Sequence, residues 1–159
     1  LRLARSDFHR MVLELTARIP YGAVTSYASV ARELGRPAAV RAVAQALRAN
    51  PVPIVIPCHR VVGADGDLVG YAGRRIALKQ RLLAVEGVPA VRKERDFRVV
   101  REAMYVTEAG EQAYCLPTCG WLQRRSLAGL TLFASRKCAE SCGLHPCTTC
   151  RPDLHPLPR

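Results

Sequence analysis

Long apolar runs are missing from this chain of 159 residues, so no segment offers the stretch needed to cross a bilayer. No basic, apolar and small-residue succession opens it as an export signal would, and it holds no internal repeat or low-complexity tract. Acidic residues are scarce, 13 against 24 basic ones, and lysine is scarcer still, so arginine carries most of the net charge of +11. That balance favours a polyanionic partner, nucleic acid or an acidic membrane surface, although a basic protein without a special partner has the same composition. Cysteine is nearly absent from the first two thirds, where Cys58 stands alone, and then crowds the end as Cys115, Cys119, Cys138, Cys142, Cys147 and Cys150. Without an export signal, close-spaced cysteines hold metal more readily than they form disulfides. The chain reads as cytoplasmic, bacterial in type and held near the nucleoid through DNA. It starts at Leu1 rather than Met, which leaves room for an upstream part.

Local signals place the elements. Phe8, Met11, Val12 and Leu15 recur at helical spacing after Ser6, until Pro20 and Gly22 stop the pattern. "TSYASVARELG" reads as a second helix capped by Ser26 or Thr25 and closed by Gly35, and "RPAAVRAVAQALRAN" as a third with Pro37 in its first turn. Two helices across a tight turn suit a helix-turn-helix. In the second of them, alanines allow close backbone approach to a groove while Arg41 and Arg48 reach phosphates or bases, yet a tightly packed core helix has the same composition. "NPVPIVIPCHRVV" reads as extended chain feeding a short hairpin through "ADGD", followed by a helix over "RRIALKQRLLAVEG". "VPAVRKERDFRVVREA" lacks a clean period and reads as a linker with a helical second half. Beyond it, "LTLFAS" resembles a strand, "RKCAESCG" a short helix, and the "RPDLHPLPR" tail is expected to fray.

Chemistry concentrates at two places. Cys58 and His59 pair a nucleophile with a base, but adjacent residues of an extended strand face opposite ways, so a bridging water or a kink at Pro57 is needed to connect them. "CLPTC" and "CTTC" form a C-x3-C and C-x2-C pair suited to a tetrahedral zinc with Cys115, Cys119, Cys147 and Cys150 as ligands. So small a module can hardly bury its own core, and bound zinc would supply folding energy. Cys138 and Cys142, one helical turn apart, are expected to pack within the short helix, with replacement of a ligand by either as the alternative.

The string "RAVAQALRANPVPIVIPCHRVVGADGDLVGYAG", with "YGAVTSYASVARELG" upstream, closely resembles the catalytic domain of the O6-alkylguanine-DNA alkyltransferases from about Asp7 to Gly87. The resemblance implies that Cys58 accepts an alkyl group from guanine O6, stoichiometrically and once. His59 would act as base through a water, Glu86 would stabilise the imidazolium, and Asn50 would hold the turn before the active loop. Tyr27 and Arg41 would rotate the target nucleotide out of the stack. Tyr71 would assist guanine's departure, Ala42 and Ala46 would let the helix enter the minor groove, and Arg48 and Arg60 count among the DNA contacts. Family members usually carry an N-terminal α/β domain, and here almost nothing precedes Ser6. The related alkyltransferase-like proteins have lost the cysteine.

"YCLPTCGW" and "GLHPCTTCRPD" are similar to the zinc module of the Ada-type methyl sensors over about Met104 to Asp153. That similarity implies a zinc-bound Cys115 able to take methyl from a phosphotriester. Leu116 stands where those sensors carry arginine, so the expected role is structural zinc with DNA backbone contact, for which Arg124, Arg125, Arg136 and Arg151 are candidates, although scattered arginines are usually a solvated face. The expected architecture is mainly α with a short β-hairpin: a winged helix-turn-helix-like domain over 1–90, a linker over 91–103, and a small α+β zinc module over 104–159. The expected partner is double-stranded DNA containing O6-alkylguanine, met by a monomer with no membrane and no organic cofactor. The alternative is a non-catalytic lesion-binding or regulatory DNA-binding protein, against which the retained Cys58, His59 and Glu86 argue.

Overall fold

Ser6 accepts a hydrogen bond from the His9 backbone N–H and so starts α1 (Asp7–Ala17), which buries Val12 and Leu13. The computed structural model describes residues 4–73, 75–94, 96–122 and 125–158. After α1 the chain turns at Gly22 into β1 (Ala23–Ser26), and Ser26 caps α2 (Tyr27–Glu33) by accepting from the Ser29 N–H. Pro37 opens a single 3-10 turn ahead of α3 (Val40–Arg48), so the two helices expected around Gly35 are present.

The stretch expected as extended chain holds a 3-10 turn over Cys58–Arg60, then β2 (Val61–Val62) and α4 (Ile76–Val85). Residues 91–103, expected as a linker, instead join a hairpin: β3 (Ala90–Lys93) pairs antiparallel with β4 (Asp96–Val99). Beyond it lie β5 (Tyr105–Glu108), β6 (Ala113–Tyr114), β7 (Leu130–Phe133), α5 (Arg136–Ser141) and β8 (His145–Pro146).

The largest sheet corrects the expectation of a mainly α chain. It runs β2-β1-β7-β5, with β1 parallel to β2 and antiparallel to β7, so the chain is α+β. Ala23 sits opposite Phe133 and Val24 opposite Leu132, while β5 pairs with the other edge of β7. All four β1 residues are buried, as befits a strand covered on both sides. Residues far apart in sequence therefore share one core, in which Val24, Val62, Leu68 and Leu83 pack with Met104, Leu122, Leu130 and Leu132. A second core, of Val12, Val30, Val43, Leu47 and Val61, closes around Cys58. Among the described residues, no helix is long and apolar enough to cross a membrane.

Leu132 is fully buried at the centre of the shared sheet. Leu132→Ala is expected to cost about 3 kcal/mol in urea unfolding. Helix loss by circular dichroism and exposure of Cys58 to a thiol reagent are expected to shift together; a Cys58 transition left in place would contradict a shared core.

Candidate active site and metal centre

Pro57 adopts φ −80° and ψ 60°, and the chain curls into a 3-10 turn instead of running on as a strand. Cys58 and His59 thus escape the opposite-face constraint of an extended segment. Asn50 fastens this turn from the end of α3: its side-chain amide donates to the Ile56 carbonyl at 2.9 Å and to Cys58 Sγ at 3.2 Å, while its Oδ1 accepts from the Val52 N–H at 3.1 Å. Between them Ile54 is held at φ 77°, a left-handed conformation that costs a β-branched residue energy.

His59 is buried. Its Nε2 lies 2.8 Å from Glu86 Oε1, and its buried Nδ1 makes no hydrogen bond with any described residue. Glu86, at the C-terminal cap of α4, also accepts from Arg60 Nε at 2.9 Å and from the Gly22 N–H at 3.2 Å. Burial alone would push this carboxyl up, but the hydrogen bonds from His59, Arg60 and Gly22 outweigh it and hold Glu86 at about 2, below its ordinary 4.5. Gly22 serves here because its φ is 78° and because a Cβ would stand 3.2 Å from the Glu86 carbonyl oxygen.

Cys58 opens onto a pocket of about 610 Å³ lined by Tyr27, Arg41, Ala44, Gln45, Arg48 and Tyr71. Tyr27 donates to the Val69 carbonyl at 3.2 Å, and burial, with Cys58 nearby, raises its hydroxyl to about 12. The Tyr71 ring meets the His59 ring edge-on at 6.3 Å. The expected Cys58, His59, Glu86, Asn50, Tyr27 and Tyr71 therefore come together, with Arg41, exposed Ala42 and Arg48 on α3 beside them.

Two expected DNA contacts are placed otherwise. Ala46 faces inward and packs with Val43 and Leu47 in the core around Cys58, so only Ala42 of the pair lies on the open helix face. Arg60 turns to Glu86 and donates to the Ile19 carbonyl at 2.6 Å, which makes it part of the carboxylate's support.

Sequence reasoning missed Lys79. It is fully buried, and its Nζ donates to the Val61 carbonyl at 2.6 Å and the Val69 carbonyl at 3.0 Å, tying the strand after Cys58 to the segment before Tyr71. Burial pulls its ammonium down to about 7, with Cys58 opposing the shift. The signal was a lysine inside the Ile76, Lys79, Leu83 stripe of α4, where spacing alone places an apolar side chain.

At the other end, the sulfurs of Cys115, Cys119, Cys147 and Cys150 all lie within 4.8 Å of one another. Four thiolates around a tetrahedral zinc stand about 3.8 Å apart, so the donor set and its dimensions fit that ion. Backbone N–H groups aim at these sulfurs too: Leu116 donates to Cys150 Sγ at 3.3 Å, and Thr149 and Cys150 donate to Cys147. Burial raises the Cys147 thiol, yet those donors bring it to about 7. Cys138 and Cys142 stay outside the cluster, Cys138 donating to the Tyr21 carbonyl at 3.0 Å and Cys142 to the Cys138 carbonyl at 3.2 Å. Of the arginines expected at a DNA backbone, Arg125 pairs with Glu108, Arg136 with Glu140 and Arg151 with Asp153, while Arg124 lies outside the described residues.

A family model for the 6-O-methylguanine DNA methyltransferase DNA-binding domain matches residues 7–88. Methylated-DNA–protein-cysteine methyltransferase from Mycolicibacterium paratuberculosis is 49% identical over 86 residues, 54% of this chain and 52% of that protein. The constitutive Bacillus subtilis protein of the same name is 47% identical over 83 residues, covering 52% and 50%. The chain thus spans about half the length of the curated relatives it matches. Among solved structures, Schizosaccharomyces pombe Atl1 in complex with damaged DNA containing O6-carboxymethylguanine aligns with a TM-score of 0.53 at 30% identity, covering 59% of this chain and 90% of that one. Mycobacterium tuberculosis O6-methylguanine methyltransferase aligns at 0.48 and 46% identity, covering 51% and 48%.

The two lowered groups give handles of the same sign in two separate pH windows. Glu86 ionises more readily folded than unfolded, so its contribution is complete above about 4.5 and is lost as pH falls toward about 2. Glu86→Gln is expected to remove that acid dependence and to cost about 3 kcal/mol at neutral pH, read by denaturant titration from pH 2 upward. Lys79 loses its proton more readily folded than unfolded, so stability rises between about 7 and the ordinary 10.5. Lys79→Met should flatten this alkaline rise; an unchanged slope would place the titration elsewhere.

Proposed function

The chain belongs to the 6-O-methylguanine DNA methyltransferase family, and on that premise we propose that it repairs double-stranded DNA by moving an alkyl group from guanine O6 to Cys58 Sγ. The observation that carries the reading is the Asn50, Cys58, His59 and Glu86 constellation, whose Cys58 lines a pocket beside α3. An alkyl group on O6 is out of reach inside a duplex, so the nucleotide must swing out into such a pocket. Arg41, Ala42 and Arg48 lie on the helix face that meets the groove, and Tyr27 and Tyr71 flank the extruded base.

His59 Nδ1 takes the Cys58 proton through a water, and Glu86 balances the charge on the resulting imidazolium. Sulfur then forms its bond to the alkyl carbon as the carbon–oxygen bond breaks, and the electron pair stays on the guanine oxygen. Tyr71 donates a hydrogen bond to the leaving base, which takes a proton from water while His59 returns the Cys58 proton to solvent. The thioether left on Cys58 resists hydrolysis, so each chain reacts once.

We read the chain as a monomer of two parts, residues 1–90 for transfer and 104–159 as an Ada-like module whose four cysteines would hold zinc. Zinc there keeps four thiolates together without an uncompensated buried charge and adds folding energy. The second reading, a lesion-binding protein without transfer, has in its favour the likeness to Atl1, whose structure contains damaged DNA. The retained Cys58 beside His59 and Glu86 favours transfer.

Weighing the intact protein after mixing with an O6-methylguanine duplex should show the mass of one methylene per chain, mapping to Cys58. Cys58→Ala should take up none while binding the duplex nearly as well, and His59→Gln should slow uptake by about 100-fold. A wild-type chain that binds the lesion and gains no mass would establish the second reading.

A further inference from the structure

We propose that the turn Leu127–Leu130 and strand β7 are positioning elements of the Cys58 site, so that metal at Cys115, Cys119, Cys147 and Cys150 governs alkyl acceptance. The inference rests on the transfer reading above and gives the four-cysteine part a role within that reaction.

The hydroxyls at the start of α2 carry the connection. Ser26 Oγ donates to the Leu127 carbonyl at 3.0 Å, and Ser29 Oγ donates to the same carbonyl at 2.7 Å and accepts from the Gly129 N–H at 2.8 Å. Thr25 Oγ1 donates to the Leu130 carbonyl at 3.2 Å, and Arg32 reaches the Ala128 carbonyl at 3.3 Å. These residues surround Tyr27, the first residue of α2, whose ring lines the Cys58 pocket. Leu127 N–H also donates to the Ala64 carbonyl, just beyond β2, at 2.8 Å. One short turn thus grips the base-flanking tyrosine's helix and the exit of the Cys58 loop together.

Backbone pairing adds a second route. β7 pairs with β1, and β1 pairs with β2, which follows Cys58, His59 and Arg60 directly. The Ala134 N–H donates to the Gly22 carbonyl at 2.8 Å, and the same glycine's N–H holds Glu86.

The metal cluster reaches this frame through the core. Cys115, Cys119 and Cys147 pack in one cluster with Val24, Val62, Leu130 and Leu132, and Cys115 exchanges two backbone hydrogen bonds with Val106 on β5, the strand beside β7. The four sulfurs stand within 4.8 Å of one another, so a single ion at their centre would tie the two cysteine pairs together. Tetrahedral ligation would bind residues 115–119 to 147–150 and fix the sheet's far edge; losing it loosens β5 and β7, and through them β1 and the turn around Ser29.

The test compares zinc-loaded full-length protein with protein stripped by a chelator under reducing conditions. Amide exchange should quicken at least tenfold in Ala23–Ser26 and Val61–Val62 together with Leu130–Phe133 on stripping, methyl uptake should slow at least tenfold, and zinc should restore both. Unchanged exchange in Ala23–Ser26 and Val61–Val62, or a protein that binds no zinc, overturns the proposal. Ser29→Ala keeps all four cysteines: with its zinc content unchanged, uptake from a duplex should fall about tenfold and uptake from the free alkylated base much less, because Tyr27 acts on base rotation. Equal loss on both substrates would mean a merely structural serine and would also overturn it. A loaded protein that takes up no methyl refutes the transfer reading while exchange still decides the coupling. Uptake indifferent to zinc, with exchange unchanged, refutes the coupling and leaves transfer standing.

Discussion

A carboxylate withdrawn from water stays ionised only if its surroundings replace the water it lost, and at Glu86 they do so with a histidine, an arginine and a backbone N–H. Each partner comes from a different place: His59 and Arg60 from the turn after Pro57, Gly22 from the connection between α1 and β1. The carboxylate in turn sits on the cap of α4. Three segments that the sequence separates are thereby obliged to meet at one point. Removing a partner leaves the buried charge less well satisfied, which is why the Arg60 guanidinium turns to Glu86.

Much of the first half was legible because its signals are local. The first helix begins after Ser6 as expected, Ser26 is the cap chosen over Thr25, Gly35 and Pro37 mark the turn, and Cys58 sits where a pocket forms. Alanine was less informative: Ala42 and Ala46 are the same residue one helical turn apart, and only packing against Val43 and Leu47 decides that Ala46 faces inward. Lysine misled in the opposite sense, since Lys79 occupies an apolar stripe because two loop carbonyls need its donors.

The sheet was illegible for a different reason. β7 shows in the sequence as the strand-like "LTLFAS", but the fully buried β1 has no alternation to reveal it, and the pairing joins Ala23 to Phe133 across most of the chain. No local period encodes such a partner. The β3–β4 hairpin escaped notice because its mostly exposed residues carry charge of both signs, the composition of a linker, while Glu94 takes the positive φ the turn demands. The four cysteines, by contrast, announced themselves through spacing, since ligands to one ion must return to one point whatever the fold between them does.

Charge near the reacting sulfur follows from burial more than from pairing. Tyr27 and Tyr71 lie close enough to feel Cys58, and desolvation holds both neutral far above physiological pH. They can therefore offer hydrogen bonds without adding charge. Glu86 is fixed as an anion and is committed to Arg60 and His59, so it cannot follow changes at the sulfur. Lys79 is the neighbour whose charge remains adjustable near neutrality: burial disfavours its ammonium, the Cys58 charge favours it, and its two carbonyl acceptors accommodate either form. The segments around Val61 and Val69 are thus braced by a donor whose charge, unlike that of Glu86, is set by enclosure rather than by a partner of opposite sign.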